Sequence, residues 1–143
     1  MNSAGVRLSG NLETTSMSDW SYHLNNNVTG SFLACKYILP FLKKAKNSSI
    51  INVASINSIR GAKNMLAYAT SKSAIISFTA SLALDLTKNK IRVNAVAPGA
   101  IETPMLASFK KDLSLKEYQK RMRENHPIGC LLYTSDAADD SGC

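Results

Sequence analysis

The feature that most constrains this chain is its alternation of short β-branched runs with long helical ones. Residues 49–54 (Ser-Ile-Ile-Asn-Val-Ala) and 91–97 (Ile-Arg-Val-Asn-Ala-Val-Ala) each read as a strand. Between them, residues 66–88 place Ala67, Ser71, Ala74, Phe78 and Leu82 at helical spacing on one face. Ahead of the first strand, residues 17–45 read as a helix capped by Ser16 or Ser18, with Phe32, Cys35, Leu39 and Leu42 on one face and Pro40 near the end, where a break costs less. A helix-length connection cannot close a hairpin, so the two strands run parallel beneath covering helices. Parallel strands are buried on both faces and flanked by neighbours. Two strands therefore describe a piece of an α/β, doubly wound parallel sheet and not the whole of one. Residues 55–65 read as a loop, Pro98-Gly99 ends the second strand, and residues 100–126 read as a loop followed by a polar helix around Leu115–Asn125.

The chain's 143 residues suit one domain, and its apolar content of 45% is ordinary for a globular protein. No apolar run is long enough to span a bilayer, and Met1–Gly5 carries neither a basic leader nor an apolar stretch, so a cytoplasmic location away from membranes is expected. Cys35, Cys130 and Cys143 are odd in number and lack metal-ligand spacing, which argues against a disulfide scaffold and a metal site; Cys35 is expected in the core. The formal charge of +7 raises the possibility of nucleic acid. The basic residues are scattered, however, and no aromatic residues interleave them as stacking platforms, so solvated helix ends and loops are the better reading. His23 and His126 lie far apart without a carboxylate at useful spacing, and surface or loop roles are expected for both. Asn52 and Asn94, inside the strands, are expected to make structural hydrogen bonds, and Trp20 to anchor its helix.

The chemistry concentrates between Ser55 and Lys72. Tyr68 and Lys72 are four apart at a helix start and share a face. A free tyrosine has a pKa of about 10 and is a poor base near neutrality, whereas a neighbouring ammonium favours its phenolate. Such a phenol can give or take a proton near working pH. Ser55, just past a strand, can hydrogen-bond a substrate oxygen. Taken alone, the Tyr-x-x-x-Lys spacing recurs in chance helices, and an exposed tyrosine beside a solvated lysine would be the plainer interpretation.

Context changes the balance. Ile51-Asn-Val-Ala-Ser55 followed by Tyr68-Ala-Thr-Ser-Lys72 resembles the active-site block of the short-chain dehydrogenase/reductase family. Ile91-Arg-Val-Asn-Ala-Val-Ala-Pro-Gly99 with Ile101-Glu-Thr103-Pro resembles the family's next strand and turn. Asp19-Trp20 through Asn27-Val-Thr-Gly30 resembles its asparagine-bearing helix, and Asn2-Ser3-Ala4-Gly5 its Asn-Asn-Ala-Gly turn, with Ser3 departing from the commoner asparagine. The resemblance covers residues 1–129, which it implies are the C-terminal part of a doubly wound, Rossmann-type domain with the first strands and the last strand missing, and is strongest to the single-domain branch of beta-ketoacyl carrier-protein reductases and sugar or secondary-alcohol dehydrogenases. It implies hydride transfer between NAD or NADP and a ketone, secondary alcohol or acyl substrate. Tyr68 is then the general acid/base, Lys72 its partner and a holder of the nicotinamide ribose, Ser55 the group that orients the substrate oxygen, and Asn27 the positioner of a relay water. Asn2, Ala4, Gly5, Pro98, Gly99, Ile101 and Thr103 would border the cofactor, and residues 104–126 would cover the substrate. The resemblance also implies a homo-oligomer built through helices 17–45 and 66–88, where Ala67, Ser71, Ala74, Ser81 and Ala83 permit close packing.

Two departures from the family pattern stand out. The glycine-rich turn that would meet the pyrophosphate does not precede Asn2, nor does the residue that chooses between NAD and NADP. After Gly129, the segment Cys130–Cys143, with Asp136, Asp139 and Asp140 and no basic residue, resembles the conceptual translation of a sequencing-library adapter, so residues 130–143 are expected to be a non-native tail. Lacking neighbours for its strands, the polypeptide by itself is expected to associate or stay partly unfolded. An inactive piece that binds an intact subunit through the same helices is the alternative to an enzyme.

Overall fold

The computed structural model describes residues 1–101 and, beyond them, residues 103, 114, 117 and 120. The chain divides into two compact units, Met1–Ala97 and Pro98–Cys143.

In the first unit a helical run opens with α1 (Met17–His23). Ser16 starts it with a capping box: Asp19 N–H donates to Ser16 Oγ at 3.0 Å, and Ser16 N–H donates back to the Asp19 carboxylate at 3.4 Å. The run widens into a π-helical stretch, Leu24–Thr29, and resumes as α2 (Gly30–Leu42). It stops at Leu42, three residues before the expected end. Ser48 accounts for the stop, because its buried hydroxyl donates to the Leu42 carbonyl at 2.7 Å, while Asn47 turns the chain at φ 58°. The chain then enters β1 (Ser49–Val53). The expected loop 55–65 contains a short helix, α3 (Asn57–Arg60), closed by Gly61 at φ 67°. α4 (Leu66–Asp85) follows, and a 3-10 turn at Thr87–Asn89 with Lys90 at φ 55° replaces the expected last turn of helix.

β2 (Arg92–Val96) pairs with β1 in parallel, Ser49 opposite Arg92 through Val53 opposite Val96, as the length of the intervening helix requires. Asn2 adds a rung on the other side of β1. Its N–H donates to Ile51 C=O at 2.8 Å, and its C=O accepts from Val53 N–H at 2.9 Å.

Cys35, Ile50, Leu86, Ile91 and Val93 form the buried core, covered by Leu39, Leu42, Phe78, Leu82 and Ala83. Burying each of the larger aliphatic side chains contributes roughly 1.5–3 kcal/mol. Cys35 thus takes its expected place, but Phe32 does not, being 45% exposed. With Leu33, Tyr37, Ile38 and Phe41 it lies on an exposed apolar face of α2. Asn52 is wholly buried and structural, as expected: it accepts from Asn2 Nδ2 at 2.9 Å and donates to Thr79 Oγ1 at 2.9 Å. Asn94, by contrast, is exposed.

In the second unit, Glu117 and Lys120 are helical, within the expected polar helix 115–125, whose other residues lie outside the described ones. Ser114 begins it with a second capping box, its Oγ accepting from Glu117 N–H at 3.3 Å while its own N–H donates to the Glu117 carboxylate at 3.0 Å. The expected covering segment 104–126 falls mostly outside the described residues, and the expected non-native tail 130–143 entirely so. Among the described residues, no helix is long and apolar enough to cross a membrane, and no group of three His, Cys, Asp or Glu side chains could hold a metal ion.

Candidate active site

Three buried polar side chains mark the carboxyl end of β1 and the first turns of α4: Ser55, Tyr68 and Lys72, at 7%, 8% and 5% exposure. Charged and hydroxyl groups are seldom this buried without a purpose. One helical turn separates Tyr68 from Lys72. The Lys72 ammonium donates to the Val53 carbonyl, the last of β1, at 2.8 Å. Burial pulls Lys72 below the ordinary lysine value, because the charged form loses hydration. Ser55 sits two residues past β1, where its Oγ accepts from Asn57 N–H at 3.2 Å and its carbonyl accepts from Ser58 Oγ.

Asn27 is 1% exposed and belongs to the π-helical stretch. Its Oδ1 accepts from Val6 N–H at 2.7 Å, and its Nδ2 donates to Val6 C=O at 3.0 Å and to Ser71 Oγ at 2.8 Å. Ser71, fully buried, passes the link on by donating to the Tyr68 carbonyl at 2.8 Å. The side-chain amide thus imitates a neighbouring strand for Val6 and fastens the segment after Gly5 to α4. Gly5 lies in the same corner. A Cβ there would sit 3.1 Å from Asn27 Oδ1 and 3.2 Å from Lys72 Nζ, so the missing side chain keeps a small hollow open beside the ammonium.

The structure corrects the expectation for His23. It is not a surface residue but 1% exposed. Its Nδ1 lies 2.7 Å from the Asp19 carbonyl, and its Nε2 accepts from Leu8 N–H at 2.9 Å. A carbonyl can only accept and an amide N–H can only donate, so the ring is fixed as the neutral Nδ1–H tautomer. Its edge meets the Tyr68 ring at a centroid distance of 6.5 Å. Sequence reasoning sought a side-chain partner for this histidine, whereas both its partners are backbone groups. One available signal was its spacing from Asn27, four residues away on the same helical face.

The other expected residues divide between the two units. Asn2 turns its side chain into the structure, donating to Asn52 Oδ1 and, at 3.3 Å, to Cys35 Sγ. Ala4 is exposed and Gly5 partly buried. Pro98, Gly99, Ile101 and Thr103 belong to the second unit, where Thr103 Oγ1 donates to the Ile101 carbonyl at 3.3 Å.

A family model described as enoyl-(acyl carrier protein) reductase matches residues 1–140. The chain belongs to the short-chain dehydrogenase/reductase family. It is 39% identical over 111 residues to trans-4-hydroxycyclohexanecarboxylate dehydrogenase of Sinomonas cyclohexanicum, spanning 78% of this chain and 42% of that one. Among solved structures it is similar to the ligand-free aldohexose dehydrogenase of Thermoplasma acidophilum, with a TM-score of 0.81 and 32% identity over 92% of this chain and 54% of that one. It is likewise similar to the 3-ketoacyl-(acyl-carrier-protein) reductase of Brucella melitensis complexed with NADH, with a TM-score of 0.79 and 30% identity over 96% and 55%. The chain spans about half the length of these relatives. Its fold is that of the corresponding part of a Rossmann-type domain.

Proposed function

We propose that the protein to which this chain belongs is a nicotinamide-dependent oxidoreductase that interconverts a ketone and a secondary alcohol, with Tyr68 as general acid/base. The observation that carries this reading is the burial of Ser55, Tyr68 and Lys72 together at the end of β1 and the start of α4. The likeness to a reductase complexed with NADH, and to a dehydrogenase named for a hydroxy acid, supports it.

The residues present suit the cofactor. The hollow that a Cβ at Gly5 would fill lies against the Lys72 ammonium, whose remaining donors can meet ribose hydroxyls. When bound, the nicotinamide supplies or accepts the hydride. Tyr68 gives a proton to the carbonyl oxygen during reduction and takes it back during oxidation. Ser55 donates to the same oxygen and fixes it at the phenol. Lys72, held by Val53, keeps a positive charge one turn from Tyr68. Asn27 has its amide committed to Val6 and Ser71, and its main-chain carbonyl accepts from Ser31 Oγ at 2.8 Å, so its side chain acts by holding the Gly5 segment against α4 rather than by touching a relay water. Asn2, Ala4 and Gly5 are the other residues of the first unit proposed to border NAD or NADP; on the family resemblance the same role is proposed for Pro98, Gly99, Ile101 and Thr103.

Self-association through α2 and α4 belongs to the same reading, because Phe32, Leu33, Tyr37, Ile38 and Phe41 leave large apolar side chains exposed on α2, where a partner helix could cover them. The test uses the complete gene product. Its oxidation of cyclohexanol, and its reduction of cyclohexanone and 4-oxocyclohexanecarboxylate, are followed by NAD(P)H absorbance. Tyr68→Phe is expected to lower kcat by roughly 10²–10⁴-fold, the usual worth of a positioned acid/base. Undiminished turnover in that variant refutes the assignment.

A further inference from the structure

His23 and Asn27 rise from one helical run, four residues apart, and each takes hold of the segment that follows Gly5. Asn27 binds the backbone of Val6 and also holds Ser71 of α4. His23, 1% exposed at the end of α1, binds main chain on both sides of its ring. Nδ1 meets the Asp19 carbonyl at 2.7 Å, which ties the imidazole to its own helix and fixes how it is turned. Nε2 accepts from Leu8 N–H at 2.9 Å, fifteen residues away in sequence. Two aromatic rings close on the imidazole: Tyr22 at a centroid distance of 6.2 Å, and Tyr68 at 6.5 Å with the planes 71° apart. Past Leu8, Gly10 N–H donates to the Asn64 carbonyl at 2.9 Å, and its carbonyl accepts from Leu66 N–H at 3.0 Å. The segment is thus docked at the first residue of α4, two before Tyr68.

A ring in this state has its one proton given to a carbonyl and its one lone pair given to an amide. Nothing is left on it for a substrate, so His23 is not itself an acid or base in the reaction. What it can do is hold. The same imidazole that borders the Tyr68 ring carries the Leu8 backbone, so the flank of the phenol and the segment beside it are set by one rigid group. Proton transfer depends steeply on where the donor stands, and a misplacement of about 1 Å can cost roughly 10²-fold. Leucine or phenylalanine at position 23 would fill much of the space, yet would leave Leu8 N–H without its acceptor.

We propose that His23 is a positioning residue for Tyr68: as the neutral Nδ1–H tautomer it fastens the Leu8 backbone beside the Tyr68 ring and so fixes the place from which the phenol gives and takes its proton. The inference rests on the assignment of Tyr68 as the acid/base and adds to it the group that aims it.

The experiment has two arms, both on the complete gene product. In the first, nitrogen-15 NMR of histidine-labelled wild type at neutral pH reads the tautomer directly, with His23→Gln identifying which signals belong to His23. A protonated Nδ1 and a bare Nε2 are expected; the opposite tautomer, or a ring protonated on both nitrogens, overturns the proposal, and this arm needs no variant of altered core to fold. In the second, initial rates of reduction of cyclohexanone and 4-oxocyclohexanecarboxylate are followed with saturating NAD(P)H. His23→Leu, and His23→Phe, which keeps an aromatic ring beside Tyr68, should each lower kcat by roughly tenfold to a hundredfold while KM for NAD(P)H changes by less than about threefold. His23→Gln, whose side-chain oxygen can accept from Leu8 N–H, should recover most of that loss. Unchanged kcat in the leucine and phenylalanine variants overturns the proposal, as does an equal fall in all three, full activity in the phenylalanine variant alone, or an effect confined to KM for NAD(P)H. Turnover that survives Tyr68→Phe refutes the acid/base reading instead and leaves the tautomer result standing.

Discussion

Removing the Asn27 amide should do more damage than its distance from any reacting atom suggests. The side chain makes three hydrogen bonds, two to the backbone of Val6 and one to Ser71, from a position 1% exposed. A net hydrogen bond contributes about 1 kcal/mol, and a buried backbone group left without a partner costs roughly 1–3 kcal/mol. Val6 is only partly buried, so water would rescue some of that loss. Asn27→Ala should therefore destabilise the complete gene product by about 3 kcal/mol, measured by urea unfolding at unchanged m-value. Asn27→Leu separates the causes. It keeps the branched shape and the number of side-chain heavy atoms and leaves no void, yet it strands the same groups, so at least a similar loss is expected if the hydrogen bonds dominate. Because Val6 follows Gly5, which faces Lys72, both variants should also lower kcat/KM at least about tenfold under conditions where they remain folded. A loss below about 1 kcal/mol in both would show that Asn27 is not the clamp described here.

Lys72→Met should abolish turnover. It should also remove a term in the pH dependence of stability. The folded-state value of Lys72 lies below its unfolded value, so between the two the unfolded chain binds the extra proton and wild-type stability rises with pH toward about 10.5. Below that window the full penalty of the buried charge is present, and Lys72→Met should show no such rise in denaturation curves from pH 7 to 10.5. Gly10→Ala should destabilise, because its Cβ would come within 2.6 Å of Thr15 Oγ1, and a lowered Tm is the readout. Cys35 should resist alkylation in the native protein and react only on unfolding, since it is 5% exposed and burial raises its thiol above the ordinary value; mass spectrometry of the peptide that contains it decides the point. The 143-residue polypeptide by itself should associate through the exposed α2 face, so a monodisperse monomer in light scattering would count against the interface assigned to Phe32, Tyr37 and Phe41.

The strands and long helices were legible because their signals are periodic and local. Ile50 and Val93 announce buried strand positions, and Ser16 with Asp19 announces a helix start. Helix ends were misjudged where a tertiary contact decides them. Ser48 stops α2 from six residues away, which no propensity at Ala45 reveals. Tyr68 and Lys72 were legible as a pair because four residues make one helical turn. What they face was not. His23 and Asn27 hold the backbone of Leu8 and Val6 while meeting α4 at Tyr68 and Ser71, and sequence carries no mark of which backbone groups a side chain will satisfy.

That omission bears on how the site is assembled. Gly5 faces the ammonium of Lys72, so this short segment forms one wall of the corner that holds the ammonium. Such a segment cannot be positioned by a side chain at Gly5, where none is present. It has to be held by its backbone, from behind, by groups that both donate and accept. A carboxamide and a neutral imidazole are side chains that do both, and they occur here as Asn27 and His23, one helical turn apart. The π-helical stretch Leu24–Thr29 begins directly after His23 and contains Asn27. A widened turn alters the angle between these positions, and such turns recur where a helix must aim a side chain. The helix thus departs from regularity at the place where it grips the segment that carries Gly5 to Lys72.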